Sequence, residues 1–319
     1  MSAETARAWG GHSMVWPLRR VLVYPPVEPA PEASWREFGY LRSMNHRQAV
    51  EEHAAFRQIL REAGVEVLTG EIDDPMLQDA IFPFDPSFMT DAGAVLCRMG
   101  KQLREPEVDL AARTMAELNI PIAGRIEPPG RLEGGDCLWV DERTLAIGRG
   151  YRTNDEGIRQ MTAIMAAQGV DVVPVGLPHW HGPAECLHLL SLISMIDEDL
   201  AVVHLPLLEV GFIELLRERG IRFVEIPEDV PGGAPTPRGS GANEFQTQAP
   251  NVLVTAPRRC IMLRENPVTA DLLRASGCDV TLYTGGEISH NRTGGPTCLT
   301  RPILRVRASA TAESRSATG

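Results

Sequence analysis

One phrase recurs five times along this chain: an amphipathic helix end, a turn residue, then a β-branched strand. It reads Leu60-Arg61-Glu62-Ala63-Gly64-Val65-Glu66-Val67, and returns at Met115 to Ile122, Met165 to Val172, Leu216 to Phe223 and Leu273 to Val280. The turn residues are Gly64, Asn119, Gly169, Gly220 and Gly277, each where a helix needs a left-handed C-cap. They lie 55, 50, 51 and 57 residues apart. Hairpin-like pairs of apolar runs precede the helices: Cys137 to Val140 with Leu145 to Ile147, Leu189 to Ile193 with Leu200 to His204, and Val252 to Thr255 with Cys260 to Leu263. The predicted unit is strand, strand, helix, strand. A single ββαβ unit cannot bury both faces of its sheet, so five pseudo-symmetric units must pack together, and a closed ring is the economical arrangement.

One stretch breaks the period. Residues 231–241 are too rich in glycine and proline to hold a regular element, so 229–250 is expected to be a long loop inserted in the fourth repeat, a candidate lid. A single domain over 17–307 is expected, with 1–16 and 308–319 as flexible termini. Hydrophobic content of 43% and charged content of 23% fit a globular chain with a large core. No apolar run approaches the roughly 18 residues of a membrane span, and Met1 to Trp16 lacks the pattern of a secretory signal. Six cysteines are spread singly, without a C-x-x-C pair, which points to free thiols in a reducing cytoplasm rather than to disulfides or a zinc ribbon. A net charge of −11 argues against nucleic acid as a partner and suits a cationic small molecule.

The repeat serves as a ruler for the polar residues. Counted from the preceding cap, Asp85 lies 21 positions on, Asp136 17, His188 19 and Cys298 21, each leading into the first strand of a hairpin. In a pseudo-symmetric ring such positions converge. A thiol, a histidine and carboxylates in one cluster is what attack by a thiolate on a cationic carbon requires. Singly, Asp85 could cap a turn, His188 could be a core histidine and Cys298 a buried filler; their shared position carries the inference. Glu133 and Asp136 flank a Gly-Gly pair before an apolar strand. Arg104 and Arg152 each suit a guanidinium clamp on a carboxylate, or a place on the surface. His179-Trp180-His181 reads as a surface loop, and His46 and His53 as solvent-facing or partly packed helix residues without a role.

These motifs resemble those of the guanidino-group-modifying enzymes, the pentein superfamily, from about Arg19 to Arg305. Phe82-Pro83-Phe84-Asp85 looks like the family's first acidic motif, and Leu132-Glu133-Gly134-Gly135-Asp136 like its most characteristic signature. His188-Leu189 sits at the place of the general base, and Gly294-Gly295-Pro296-Thr297-Cys298 looks like the nucleophile motif. The resemblance implies a five-bladed α/β propeller. Leu190 and Phe84 stand where arginine deiminases carry aspartate and arginine. Gly148 to Asn154, Arg104 to Glu107 and Asp79 are similar to the dimethylarginine dimethylaminohydrolase branch.

The activity so implied is hydrolysis at the guanidinium carbon of an arginine-like substrate, with N-methylated arginine giving citrulline and an alkylamine. Cys298 would be the nucleophile, its pKa lowered by His188 and the bound cation. His188 would be the acid and base, and Glu133 its orienting partner. Asp85 would bind the guanidinium with Asp79 assisting, Asp136 would be a further substrate-binding residue, and Arg104 and Arg152 would hold the carboxylate. No metal or organic cofactor is implied, and a homodimer is compatible with the chain. An amidinotransferase or an arginine deiminase would use the same thiol, and a non-catalytic binding protein of this fold is the alternative outside enzymology.

Overall fold

The computed structural model describes residues 7–31, 33–183, 187–227 and 244–307. All five expected caps are left-handed, with φ of 80° at Gly64, 56° at Asn119, 69° at Gly169, 75° at Gly220 and 83° at Gly277. Each ends a helix and hands the chain to a strand: α2 (His46–Glu62) to β2 (Glu66–Thr69), α3 (Glu107–Glu117) to β5 (Ile122–Arg125), and α4 (Asp155–Ala166) to β8 (Asp171–Gly176). The other two are α5 (Val210–Glu218) to β11 (Arg222–Glu225) and α6 (Pro267–Ala275) to β14 (Asp279–Tyr283). A short α1 (Trp35–Phe38) precedes α2.

The strands form five three-stranded sheets, so the protein is a mixed α/β fold of small sheets. Four contain a hairpin and the strand that follows the helix: β3 (Ser87–Thr90) and β4 (Gly93–Leu96) with β5, and β6 (Cys137–Asp141) and β7 (Thr144–Arg149) with β8. The next two are β9 (Ile193–Asp197) and β10 (Leu200–Val203) with β11, and β12 (Leu253–Ala256) and β13 (Arg259–Leu263) with β14. In every sheet the middle strand pairs antiparallel with the first and parallel with the third.

The fifth sheet is assembled from both ends of the chain. Its middle strand is β1 (Leu18–Val23), flanked by β2 and by β15 (Arg301–Arg305) from the C-terminus. First strands of neighbouring modules touch, as β9 with β12 and β15 with β3, and β12 also meets β1, the middle strand of the fifth sheet. Side chains such as Phe88, Trp139, Met195, Val254 and Arg301, one from each of the five first strands, line a single small cavity.

Three expectations need correction. The run beginning at Leu189 is not yet strand: Leu189–Ser191 is one 3₁₀ turn, closed by mutual hydrogen bonds between His188 and Ser191, and β9 starts at Ile193. Residues 10–16 are not a free terminus. Gly10 N donates to Ile303 O at 2.8 Å, His12 stacks on Trp139 with ring centroids 4.3 Å apart, and Val15 is buried. His53 is buried among apolar side chains, which lowers its pKa to about 3. The glycine-rich stretch 231–241, most of the expected lid, and the outer ends 1–6 and 308–319 lie outside the described residues. No helix among the described residues is long and apolar enough to cross a membrane.

A Cβ at Gly169 would meet nothing within 4 Å, so only its φ opposes substitution. Gly169→Ala is expected to lose about 1 kcal/mol of stability, read by urea denaturation with an unchanged slope.

Candidate active site

Each first strand is preceded by one polar residue, and these five residues gather: Asp85 before β3, Asp136 before β6, His188 before β9, Asn251 before β12 and Cys298 before β15. Asp85, His188, Asn251 and Cys298 line one cavity of about 710 Å³, while Asp136 lies behind its wall. Gly-Gly pairs let them approach. A Cβ on Gly135 would lie 2.5 Å from His188 Nδ1 and 2.8 Å from Asp85 Oδ1. One on Gly295 would lie 2.4 Å from Asn251 Cγ. No side chain larger than hydrogen fits at either place.

Glu133 holds the cluster together. It has no exposed surface, and its carboxylate accepts from Gly100 N at 2.8 Å, Lys101 N at 3.2 Å, Arg152 Nη1 at 3.0 Å and His188 Nε2 at 2.7 Å. Burial opposes its ionisation, but Arg152 and His188 outweigh burial and hold its pKa well below the usual carboxylate range. Burial also opposes charge on His188. Asp85, Asp136 and Glu133 override that effect and raise the imidazole to about 9, so it is protonated at neutral pH. Its Nδ1 lies 3.9 Å from Asp85 Oδ1 and is the ring nitrogen not bonded to Glu133.

Asn251 donates through Nδ2 to Cys298 Sγ at 3.2 Å, and its Oδ1 accepts from Thr297 N at 3.0 Å. The amide thus fixes both the sulfur and the turn that carries it. Burial, then the Asp85 charge, push the thiol up to about 11; the Gly295 backbone and Asn251 pull it back only in part. The expected lowering is not seen, because burial first and the Asp85 charge second dominate the thiol.

The remaining candidates divide. Arg152 lines the cavity and is tied to Glu133. Asp79 lines it too, accepting from Tyr40 Oη at 2.8 Å and Lys101 Nζ at 3.0 Å. Burial works against its charge, but Lys101 and Arg104 hold its pKa below normal. Arg104 lines the cavity as well, but its side chain is largely buried and already engaged, with Nε and Nη2 on Glu107 and Nη1 on Asp85 Oδ2 at 2.5 Å. Asp136 contradicts a place against the substrate: its oxygens accept from Leu189 N at 3.0 Å and Thr153 Oγ1 at 2.6 Å, which anchors the His188 turn. Burial raises its pKa to about 6.

The expected surface loop at 179–181 instead reaches the cavity. Trp180 and His181 line it, and Trp180 meets Phe245 edge-on. Phe84 turns away under Arg301, whereas Phe82 faces the cavity beside Gly294. Asp85, Glu133 and His188 offer ligand atoms within 4.8 Å of one another, as a metal site would need, but each already has a partner in Arg104, Arg152 or the Glu133–His188 bond. The sequence reading missed Asn251. The signal was available, since it is the fourth-repeat equivalent of the other four residues, displaced in the count by the inserted loop.

The family model described as "Arginine deiminase" matches residues 72–218. The chain is 28% identical to the N(G),N(G)-dimethylarginine dimethylaminohydrolase of Streptomyces coelicolor, covering 80% of this chain and 86% of that one. It is 27% identical to the arginine deiminase of Listeria welshimeri, over 73% of this chain and 63% of that one. Among solved structures, the dimethylarginine dimethylaminohydrolase of Pseudomonas aeruginosa in complex with citrulline superposes with a TM-score of 0.69 at 23% identity, covering 91% and 100% of the two chains. The amidinotransferase SxtG of Microseira wollei does so with a TM-score of 0.74 at 14% identity, covering 94% and 98%. In its five three-stranded sheets and its cysteine, histidine and acidic motifs, the chain is similar to the guanidino-group-modifying, or pentein, superfamily.

Proposed function

We propose that this protein is a hydrolase that cleaves a C–N bond at the guanidinium carbon of an arginine-like substrate, releasing an alkylamine and leaving a ureido product. N-methylated arginine, giving citrulline, is the substrate of choice. One observation carries the reading: Cys298, Asp85 and a protonated His188 line one wall of one cavity, with Glu133 buried behind them. The dimethylarginine dimethylaminohydrolases of Streptomyces coelicolor and Pseudomonas aeruginosa support it. So does the Phe82 ring beside Gly294, an apolar surface suited to N-methyl groups. The five sheets are taken as blades of a closed five-bladed propeller, supported by the cavity common to all five first strands and by β1 lying between β15 and β2.

The guanidinium binds against Asp85 by charge-assisted hydrogen bonds, and its positive charge reverses the field that keeps the thiol neutral. The thiol proton passes to solvent as the cation enters. The thiolate, held by Asn251 Nδ2, attacks the guanidinium carbon and forms a C–S bond. His188 donates its Nδ1 proton to the departing amine as the C–N bond breaks, leaving a cationic S-alkylthiouronium. Neutral His188 then takes one proton from water as its oxygen attacks that carbon, and the C–S bond breaks to release the sulfur, which regains a proton as the remaining O–H proton leaves and the ureido carbonyl forms. Glu133 keeps the imidazole oriented through both steps and favours its protonated form. Arg152 meets the carboxylate end of the substrate. Lys101, which already neutralises Asp79, contributes further positive charge on the same side of the cavity.

An arginine deiminase is the second reading, favoured by the family match over residues 72–218. Incubation with arginine, its methylated forms, agmatine and canavanine, read by mass spectrometry, separates the two. Citrulline with methylamine or dimethylamine is expected; ammonia from unmodified arginine as the faster reaction turns the reading to a deiminase. Cys298→Ser is expected to lower turnover at least about 10³-fold, and retention of substantial activity refutes the mechanism.

The pKa shifts give two further outcomes. Iodoacetamide should label Cys298 slowly at pH 7 in the free protein and faster as pH rises towards about 11, with Asn251→Ala moving that midpoint upwards. In Glu133→Gln, the His188 imidazole loses an adjacent anion, so its NMR titration midpoint should fall from about 9 towards the ordinary histidine value.

A further inference from the structure

Two arginines on the last strand sit in the core without an acid to answer them. Arg301 and Arg305 are 2% and 5% exposed, and among the described residues neither has a carboxylate within ion-pair distance. Arg301 Nη2 donates to Phe84 O at 2.9 Å, its guanidinium lies 3.8 Å over the Phe84 ring, and its buried Nε has no partner. Arg305 Nη1 donates to Trp16 O at 2.6 Å. Asp85 is close enough to influence Arg301, but its own oxygens are taken by Arg104 and the Gly135 amide. Of the other deeply buried arginines, Arg104 meets two carboxylates, and Arg292, whose Nε also lacks a partner, lines the active-site cavity instead. A desolvated cation without a counter-charge is costly, and proteins rarely keep two together.

Both arginines line the small cavity among the five first strands, which is separate from the active-site cavity and is covered at one end by Gly10 to Met14. Its volume is about 30 Å³. A buried water needs only about 10–15 Å³, so there is room for one small ion. The remaining walls are largely apolar, with Phe84, Phe88 and Met195 among them. They offer nothing to the several oxygens of phosphate, sulfate or a carboxylate, and the space excludes such ions by size. Burial lowers the Arg301 pKa to about 10, and burial with the Arg301 charge lowers Arg305 to about 9, so the pair is strained electrostatically as it stands.

We propose that this cavity is a binding site for one monatomic anion, a halide, held by the guanidiniums of Arg301 and Arg305. The ion neutralises the pair and takes the unsatisfied Nε hydrogen. It ties the strand that follows the nucleophile to the first strands of the other modules and to residues 10–14. The site serves stability and does not depend on the proposed reaction.

The test uses the full-length protein in two ways. Thermal unfolding is followed in chloride and in gluconate at equal ionic strength, for the native chain and for Arg301→Met and Arg305→Met. Chloride is expected to raise the native Tm saturably by about 2 °C over gluconate, with no such increment in either variant. Crystals soaked in bromide are expected to give one anomalous peak between the two guanidiniums, a measurement that does not require the variants to fold. Equal Tm in the two salts, an increment that survives in both variants, or no anomalous density in this cavity (including bromide found only at the active site) overturns the proposal.

Discussion

A buried glutamate sets the terms for the whole site. Glu133 can remain charged without solvent only because two backbone amides, a guanidinium and an imidazole converge on it. Those four donors come from three separate parts of the chain, residues 100–101, residue 152 and residue 188. The carboxylate is thus a knot between modules as well as a partner for one histidine. A neutral replacement would leave donors unsatisfied as well as removing charge, and unmade buried hydrogen bonds each cost about 1–3 kcal/mol.

The electrostatics of the empty cavity follow from that knot. Glu133, Asp85 and Asp136 keep His188 charged, while Asp85 and burial keep Cys298 neutral. The acid is therefore loaded before any ligand arrives, and the nucleophile is not. A thiol in this condition resists casual oxidation and alkylation, since only the thiolate reacts quickly. Asn251 reduces the penalty of ionisation without abolishing it.

Local features of the fold were legible in the sequence because they depend on local chemistry. Five left-handed caps, two of the expected hairpins and their turns follow from residues within a few positions of one another. The gathering of Asp85, Asp136, His188 and Cys298 was legible from the repeat. What escaped was set by distant partners. Whether Arg104 is free to clamp a ligand depends on Glu107 and Asp85 taking its guanidinium, and whether Asp136 faces the cavity depends on Leu189 N and Thr153. Asn251 was hidden by the insertion that lengthens its repeat. The helix pattern likewise could not tell that Phe56 and Leu60 carry His53 inward with them.

The sheet formed by β15, β1 and β2 has a consequence for how the molecule comes into being. Its central strand, Leu18–Val23, is synthesised long before its outer strand, Arg301–Arg305. Until Arg301 to Arg305 emerge and pair, β1 has an open edge and Cys298 has no fixed place beside Asn251. Four modules can form as the chain grows, but the thiol pocket cannot form before β15 has emerged. The closing step spans nearly the whole sequence, the kind of contact that pays its loop entropy late and forms slowly.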